Sequence, residues 1–377
     1  MENRNLRIIT IDTTNRRQVN QFLALPFHLY ANTPQWVPPL EGDARCVLDK
    51  KRYPFYRDGE AGFFLAFRDE RVVGRLAVLE HRGYNRFNRE NTAFFYLFEA
   101  ENDLEASQVL FESGFDWARS RGLNKIIGPK GFSVFDGFGL LVRGFEHRPA
   151  FGLPYNLPYY PKLVEAAGFT KQGDSLSGYL DRKMEFPEKV HQIAELLKTR
   201  RGFSVVPCRS KGELRKIIPE LKDLYNAALT GSQGTVPVTD EEVKGLESQL
   251  MWFADPGLIK IIKKGEKTVG FLLAYPDVSA AVQRTKGKLF PFGWFHLLLE
   301  LKRTEWININ GVGIMEGYRG LGGTALLFSE MYNSIIRSRY RYADVVQIGV
   351  ENENMQREMR GFGIDFYKTH RVYERSI

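Results

Sequence analysis

The stretch I-M-E-G-Y-R-G-L-G-G-T-A-L-L, Ile314 to Leu327, decides how the rest of the chain is read. It closes a strand-like run, W-I-N-I-N-G-V-G-I (Trp306 to Ile314), and opens a helix-like run that continues to about Arg337. A strand-to-helix junction carries backbone N–H groups that the helix leaves unbonded, and the helix dipole adds partial positive charge there. Glycines let such a turn adopt positive φ and let a ligand approach the backbone closely. The combination predicts an anion site.

Two common phosphate loops do not fit. A Walker A loop requires a lysine after its glycines, and none follows here. A dinucleotide fingerprint requires G-x-G-x-x-G, whereas Gly311 to Gly317 reads G-V-G-I-M-E-G, one residue out of step and inside the strand.

The chain also repeats itself. E-R-V-V-G-R-L-A-V-L from Glu70 is echoed by E-K-T-V-G-F-L-L-A-Y from Glu266. Y-N-L-P-Y-Y-P-K-L-V-E-A-A-G-F (Tyr155 to Phe169) is echoed by E-N-E-N-M-Q-R-E-M-R-G-F-G-I (Glu351 to Ile364). The separation from Gly74 to Gly270 equals that from Asn156 to Asn352. Two diverged copies of one α/β unit are expected, with a boundary near Met184 to Pro187 giving domains 1–185 and 186–377.

The turn and its surroundings resemble the central motif of the GNAT acyltransferase superfamily, a strand followed by R-x-x-G-x-[GA] and a helix. Arg319 and Gly322 match that motif, and Thr324 stands where the family has Gly or Ala. Downstream, Asn352 and Gly363 match the family's next strand and helix. The resemblance implies an α/β (α+β) fold of two tandem GNAT-like domains, each a mixed, mostly antiparallel sheet flanked by helices. It implies acetyl-CoA or another acyl-CoA as cofactor, its pyrophosphate on the amides of Gly320, Leu321, Gly322, Gly323 and Thr324. Ile314 and Met315 would then face the pantetheine arm, with Asn352 as a polar anchor.

The expected reaction is N-acyl transfer, in the first place N-acetyl transfer, to a small-molecule or peptide amine. The alternatives are a Fem-type transferase using aminoacyl-tRNA, which the intact coenzyme turn argues against, and a non-catalytic acyl-CoA-binding protein. The tyrosine that the family uses as an acid is replaced by Met359. Catalytic candidates are Glu351 as base, with Tyr367 and Tyr373 as nearby hydroxyls; Gln347, Glu305 and Glu316 also lie near the strand ends.

Aligned at its central strand, A-F-F-Y-L-F (Ala93 to Phe98), the first copy has no glycine at the turn. Asp103 falls where Arg319 falls, among Glu99, Glu101 and Glu105. Carboxylates repel a pyrophosphate and suit a helix N-terminus, so only the second copy is expected to hold the cofactor.

The formal charge of +8 favours anionic partners, and nothing suggests a nucleic acid beyond that. The two cysteines, Cys46 and Cys208, supply neither a disulfide framework nor a metal site. No signal-peptide pattern opens the chain, and the most apolar run, Leu289 to Leu299, falls short of the roughly 20 residues a spanning helix needs. A cytoplasmic location is expected, and a homodimer is left open. Two segments remain unexplained by the motif. Gly128 to Asn156 is rich in Gly and Phe, and reads as a pocket lining or a buried connection. Lys286 to Lys302 is apolar with lysines at both ends, and reads as a core helix, an acyl-pocket cover, a partner site or a membrane contact.

Overall fold

The computed structural model describes residues 5–228 and 236–377. The chain forms β1 (Leu6–Thr10), α1 (Arg16–Leu29), α2 (Glu41–Cys46), β2 (Gly59–Arg68), β3 (Arg71–His81), α3 (Arg82–Asn88), β4 (Thr92–Ala100), α4 (Leu104–Arg119), β5 (Lys125–Gly128), β6 (Leu140–Arg143), α5 (Tyr160–Ala166) and β7 (Thr170–Asp181). After α6 (Glu188–Arg200) the order recurs. It runs through β8 (Phe203–Pro207), α7 (Lys211–Ala228), α8 (Asp240–Phe253), β9 (Ile259–Lys264), β10 (Lys267–Pro276), α9 (Ser279–Thr285), α10 (Gly293–Arg303) and β11 (Trp306–Ile314). It ends with α11 (Gly323–Ile336), β12 (Tyr342–Gly349), α12 (Glu353–Gly361) and β13 (Asp365–Ser376).

Both copies begin their sheets with the same device. Arg68 pairs with Arg71 across a two-residue turn at Asp69, and Lys264 pairs with Lys267 across one at Gly265. Asp69 has φ of 53° and Gly265 of 60°. Positive φ in such short turns matches the twist of the strands they join.

By compactness the chain divides into unit 1 (Met1–Ser175, Ser279–His296, Lys368–Ile377) and unit 2 (Leu176–Val278, Leu297–Tyr367). The sequence reading places one cut between residues 185 and 186; the observed units are interleaved. The reason lies in the last strand of each copy. Unit 1's sheet runs β1-β2-β3-β4-β5-β13, with β6 also on β13, while unit 2's runs β7-β12-β11-β10-β9-β8. The first copy's final strand therefore enters unit 2, and the second copy's enters unit 1.

β4 pairs in parallel with β5 in unit 1 and β11 with β12 in unit 2, while β1 to β4 and β8 to β11 pair antiparallel in sequence order. In unit 1, α4 packs on the sheet through Leu110, Phe111 and Phe115 against Phe95 and Leu76, all fully buried. In unit 2, α11 and α6 pack on Ile307, Ile309 and Leu272 through Leu326, Leu327 and Leu197. The opposite face of β9 and β10 meets α7 through Ile261, Phe271, Leu221 and Leu224.

The Gly128–Asn156 segment is a packed connection inside unit 1. Phe132 is buried amid the rings of Tyr53, Phe55, Phe63 and Tyr96. Asn156 closes the segment, its Oδ1 accepting from Leu141 N (2.6 Å) and its Nδ2 donating to Leu141 O (3.1 Å). Among the described residues no helix is long and apolar enough to cross a membrane, and no cluster of His, Cys, Asp or Glu could hold a metal.

Candidate functional site

The site in unit 2 begins with a departure of two strands. β11 pairs in parallel with β12 from Trp306↔Tyr342 to Ile309↔Val345 and no further. On its other edge β11 stays with β10 as far as Gly270↔Ile314. Between these points the β10 register shifts, so that Asn310 and Gly311 together stand opposite Leu273. Such a bulge bends the strand that carries the extra residue. Gly311 has φ of 136°, a conformation glycine adopts without strain. Beyond the bulge the strands part, and β11 from Asn310 to Ile314 presents a backbone edge that β12 does not fill.

The turn continues directly from that edge. Met315 N donates to Val269 O (2.9 Å), Tyr318 N to Met315 O (2.8 Å) and Arg319 N to Glu316 O (3.1 Å). Gly320 (φ 74°) and Gly322 (φ 99°) then reverse the chain, and Gly322 is the N-cap of α11 with no side chain capping it. Among the described residues, the amides of Gly320, Leu321, Gly322, Gly323, Thr324 and Ala325 find no backbone acceptor. The first helical bond at this end is Leu326 N to Gly322 O, 3.1 Å. Six successive donors at the positive end of a helix buried along most of its length are an arrangement that can hold an anion.

Packing explains the glycines. A β-carbon on Gly322 would lie 2.8 Å from Ile193 Cγ2 and 3.1 Å from Leu197 Cδ1 of α6. A β-carbon on Gly320 would meet nothing within 4 Å, so that side of the turn is open. Thr324 is buried, 8% exposed, and fits the position where a smaller residue was expected.

Positive charge gathers beside the turn. Arg319 is exposed, and its Nε donates to Ile314 O (3.3 Å). Lys264 and Lys267, from the β9–β10 hairpin, hold their ammonium groups 5.9 and 5.7 Å from the Tyr318 ring. The sequence reading missed these lysines; the signal available was K-K-G-E-K, a cationic hairpin tip one strand from the motif.

The same place in unit 1 is built differently. Leu97 (φ 50°) and Phe98 stand opposite Leu76, repeating the bulge. Beyond it the edge is met by side chains: Ala100 N donates to Tyr160 Oη (3.2 Å) and Tyr159 Oη donates to Ala100 O (2.8 Å). From the bulge, the chain reaches α4 at Leu104, whereas in unit 2 it runs from Asn310 to Gly323 before the helix. The structural counterpart of Asp103 is therefore Gly322, not Arg319, because both are N-caps and the first copy's turn is shorter. The Asp103 carboxylate accepts from Ala106 N (3.0 Å) and from Arg68 Nε (2.6 Å) and Nη2 (3.0 Å). Arg68 also reaches Glu105 at 2.6 Å, and Arg71 pairs with Glu101. The Arg68 guanidinium holds the Asp103 carboxyl below its usual range. Unit 1 thus carries its own anion where unit 2 offers bare amides.

The remaining sequence candidates scatter. Ile314 is buried in the unit 2 core, and Met315 packs on the cluster beneath α7. Asn352 is exposed and caps α12, its Oδ1 accepting from Met355 N (3.2 Å). Glu351, the residue before it, is exposed at the end of β12 with its carboxylate folded toward Gly349. Met359 is fully buried. Tyr367 donates to Asp344 Oδ2 (2.9 Å), and burial together with that carboxylate raises its pKa. Tyr373 belongs to unit 1, is fully buried and donates to Glu165 Oε1 (3.2 Å).

Unit 2 also holds a polar row that the sequence reading passed over. Tyr275, Asn308 and Asp344 are cross-strand partners on adjacent strands and so share one face of the sheet. Asn308 Nδ2 donates to Asp277 Oδ1 (2.9 Å) and Asn310 Nδ2 to Tyr275 Oη (3.2 Å). Burial pushes the Tyr275 hydroxyl up to about 12. The alternation in W-I-N-I-N was the available signal, with asparagines on the face opposite the isoleucine core.

No family model matches the sequence. Over its whole length the chain superposes on a tandem GNAT protein from the clavulanic acid biosynthesis pathway, with a TM-score of 0.57, 12% identity, and coverage of 99% of this chain and 98% of that one. The fold is the tandem GNAT fold. In sequence, the chain is 29% identical to "Bacterial ceramide synthase" of Caulobacter vibrioides (strain NA1000 / CB15N), over 100% of its own length and 98% of the relative's. It is 25% identical to "Protein YghO" of Escherichia coli (strain K12), over 96% and 94%. Of the two units of this chain, among the described residues, only unit 2 combines the parted strands with the bare turn.

Proposed function

We propose that unit 2 binds an acyl-CoA and that the protein transfers the acyl group to an amine. The observation that carries this reading is the run of six unbonded amides from Gly320 to Ala325 at the end of a strand whose edge is open. A diphosphate fits that cradle by charge and by donor number, with Gly320 leaving its approach clear. Arg319, Lys264 and Lys267 add cationic groups for the further phosphate. The free edge of Asn310 to Ile314 suits an extended amide-bearing arm, which pairs with it as a strand would.

When bound, acyl-CoA would supply a thioester whose carbonyl carbon an amine attacks, the C–N bond forming as the C–S bond breaks and CoA leaves as a thiolate that takes up a proton. The chain's part is to hold the arm along β11, to donate a backbone N–H toward the carbonyl oxygen, and to take the amine's proton. We assign that last role to Glu351, the exposed carboxylate at the end of β12. For the acceptor we take a long-chain amino alcohol. A relative matching the whole chain is named a ceramide synthase, and a ceramide is such an amino alcohol bearing an N-acyl group.

Calorimetry with acetyl-CoA and with long-chain acyl-CoA tests the binding step, and an acyl-transfer assay over small amines and long-chain amino alcohols tests the reaction. Absence of binding to either thioester refutes the reading. Binding without transfer to any amine leaves the non-catalytic alternative, which the buried Met359 in place of a tyrosine would suit.

A further inference from the structure

The connection between α9 and α10 plays no part in the proposed reaction, and its surface is anomalous. Phe290 is 82% exposed, Phe292 72%, Phe295 55% and Trp294 40%. Four large aromatic side chains within six positions form a contiguous apolar tip of a kind that a soluble surface rarely leaves bare.

The tip stands on a fixed base. Ala281 and Val282 are fully buried. Gln283 Nε2 donates to Pro34 O (2.8 Å) and Trp36 O (2.9 Å), and Glu41 N donates to Gly287 O (2.9 Å). A β-carbon on Gly287 would lie 2.2 Å from Pro39 O, so the chain there is pressed against its neighbour. The tip also satisfies its own polar groups: Trp294 Nε1 donates to Pro291 O (3.0 Å), Trp294 N to Leu289 O (2.9 Å) and Phe295 N to Phe292 O (3.1 Å). What it offers outward is ring surface.

Charge selects the occupant. Residues 278–299 include no Asp or Glu and carry Arg284, Lys286 and Lys288, with both lysines exposed. A symmetric contact with a second copy would bring these cations together. Anionic lipid headgroups attract them, and Phe and Trp rings prefer the boundary beneath those headgroups.

We propose that this tip inserts into the headgroup region of a bilayer containing anionic phospholipid, making the protein a peripheral membrane protein. The inference stands without the proposed acyl transfer.

Vesicle co-sedimentation of the full chain, with no acyl-CoA present, tests it. Vesicles of phosphatidylcholine alone and of phosphatidylcholine with phosphatidylglycerol are compared. The chain binds the anionic vesicles at least about tenfold more tightly. F290S/F292S abolishes that binding while the thermal melt is kept, and K286E/K288E reduces the preference for phosphatidylglycerol. Brominated phospholipid quenches tryptophan fluorescence of the parent chain and quenches W294F much less. Failure to bind either vesicle overturns the proposal, as does undiminished binding by F290S/F292S. A concentration-dependent dimer that F290S/F292S dissolves, without vesicle binding, would assign the tip to a second copy instead.

Discussion

Arg68 grips Asp103 through two hydrogen bonds, of 2.6 and 3.0 Å, at the first turn of α4. The pair fills in unit 1 the place where unit 2 has a turn of bare amides. Asp103→Ala removes the cap on Ala106 N and is expected to cost about 1 kcal/mol. Because the carboxyl is held below its usual range, its contribution is present above the unfolded-state pKa and is lost as pH falls through the folded value. Urea titrations at neutral and strongly acidic pH should show the parent and Asp103→Ala converging in acid. Acyl-CoA affinity should be unchanged, since the shortened turn of unit 1 has no set of bare amides.

Two glycines of the unit 2 turn separate backbone from packing. Gly320→Ala meets no neighbour and strains only φ, at about 1–2 kcal/mol. Gly322→Ala adds crowding against Ile193 and Leu197, and is expected to lose a further 1 kcal/mol or so. Denaturant midpoints measure the difference. Calorimetry should also show weaker acyl-CoA binding by Gly322→Ala, whose strain distorts the amide cradle.

Lys264→Glu together with Lys267→Glu should weaken CoA binding by roughly tenfold and flatten its salt dependence. The two lysines lie on an exposed hairpin, so the fold should tolerate the change. Affinity for 3′-dephospho-CoA should fall less, which separates the terminal phosphate from the diphosphate.

Glu351→Gln and Tyr367→Phe should behave oppositely. The first is expected to slow acyl transfer by about a hundredfold or more while acyl-CoA affinity holds. The second removes a donor from the buried Asp344 carboxylate and should cost roughly 1.5–3 kcal/mol of stability. Its turnover per folded molecule should stay within about twofold of the parent. Equal loss of turnover in both would place Tyr367 among the reacting groups.

His370 supplies a second pH signature. It is fully buried, Nε2 donates to Pro154 O (3.1 Å), and burial pushes its pKa down to about 4. The unfolded chain therefore binds a proton between pH 6.5 and pH 4 that the folded chain refuses, and stability falls on acidification across that window. The loss approaches roughly 3 kcal/mol by pH 4. His370→Gln should flatten the dependence of the urea midpoint on pH over that range.

The fold and the turn were legible because their signals are local. Positive φ at Gly320 and Gly322 favours glycine, and the repeated strand patterns mark two copies. The exchange of β7 and β13 was not legible, because alternation along a strand names its faces but not its neighbours. The alignment of Asp103 with Arg319 failed for a related reason: counting from a strand cannot see that one turn is shorter. The exposure of Phe290 and Phe292 was hidden because an apolar run reads alike whether it faces a core or water.

The parting of β11 from β12 leaves a strand edge in the interior of a sheet rather than at its margin. An outer edge must be defended against other proteins by charge or cover. This one is bounded by its own sheet, since its two walls are strands joined at Ile309 and Val345. A chain that pairs with it would have to enter between those walls, from the end where they part.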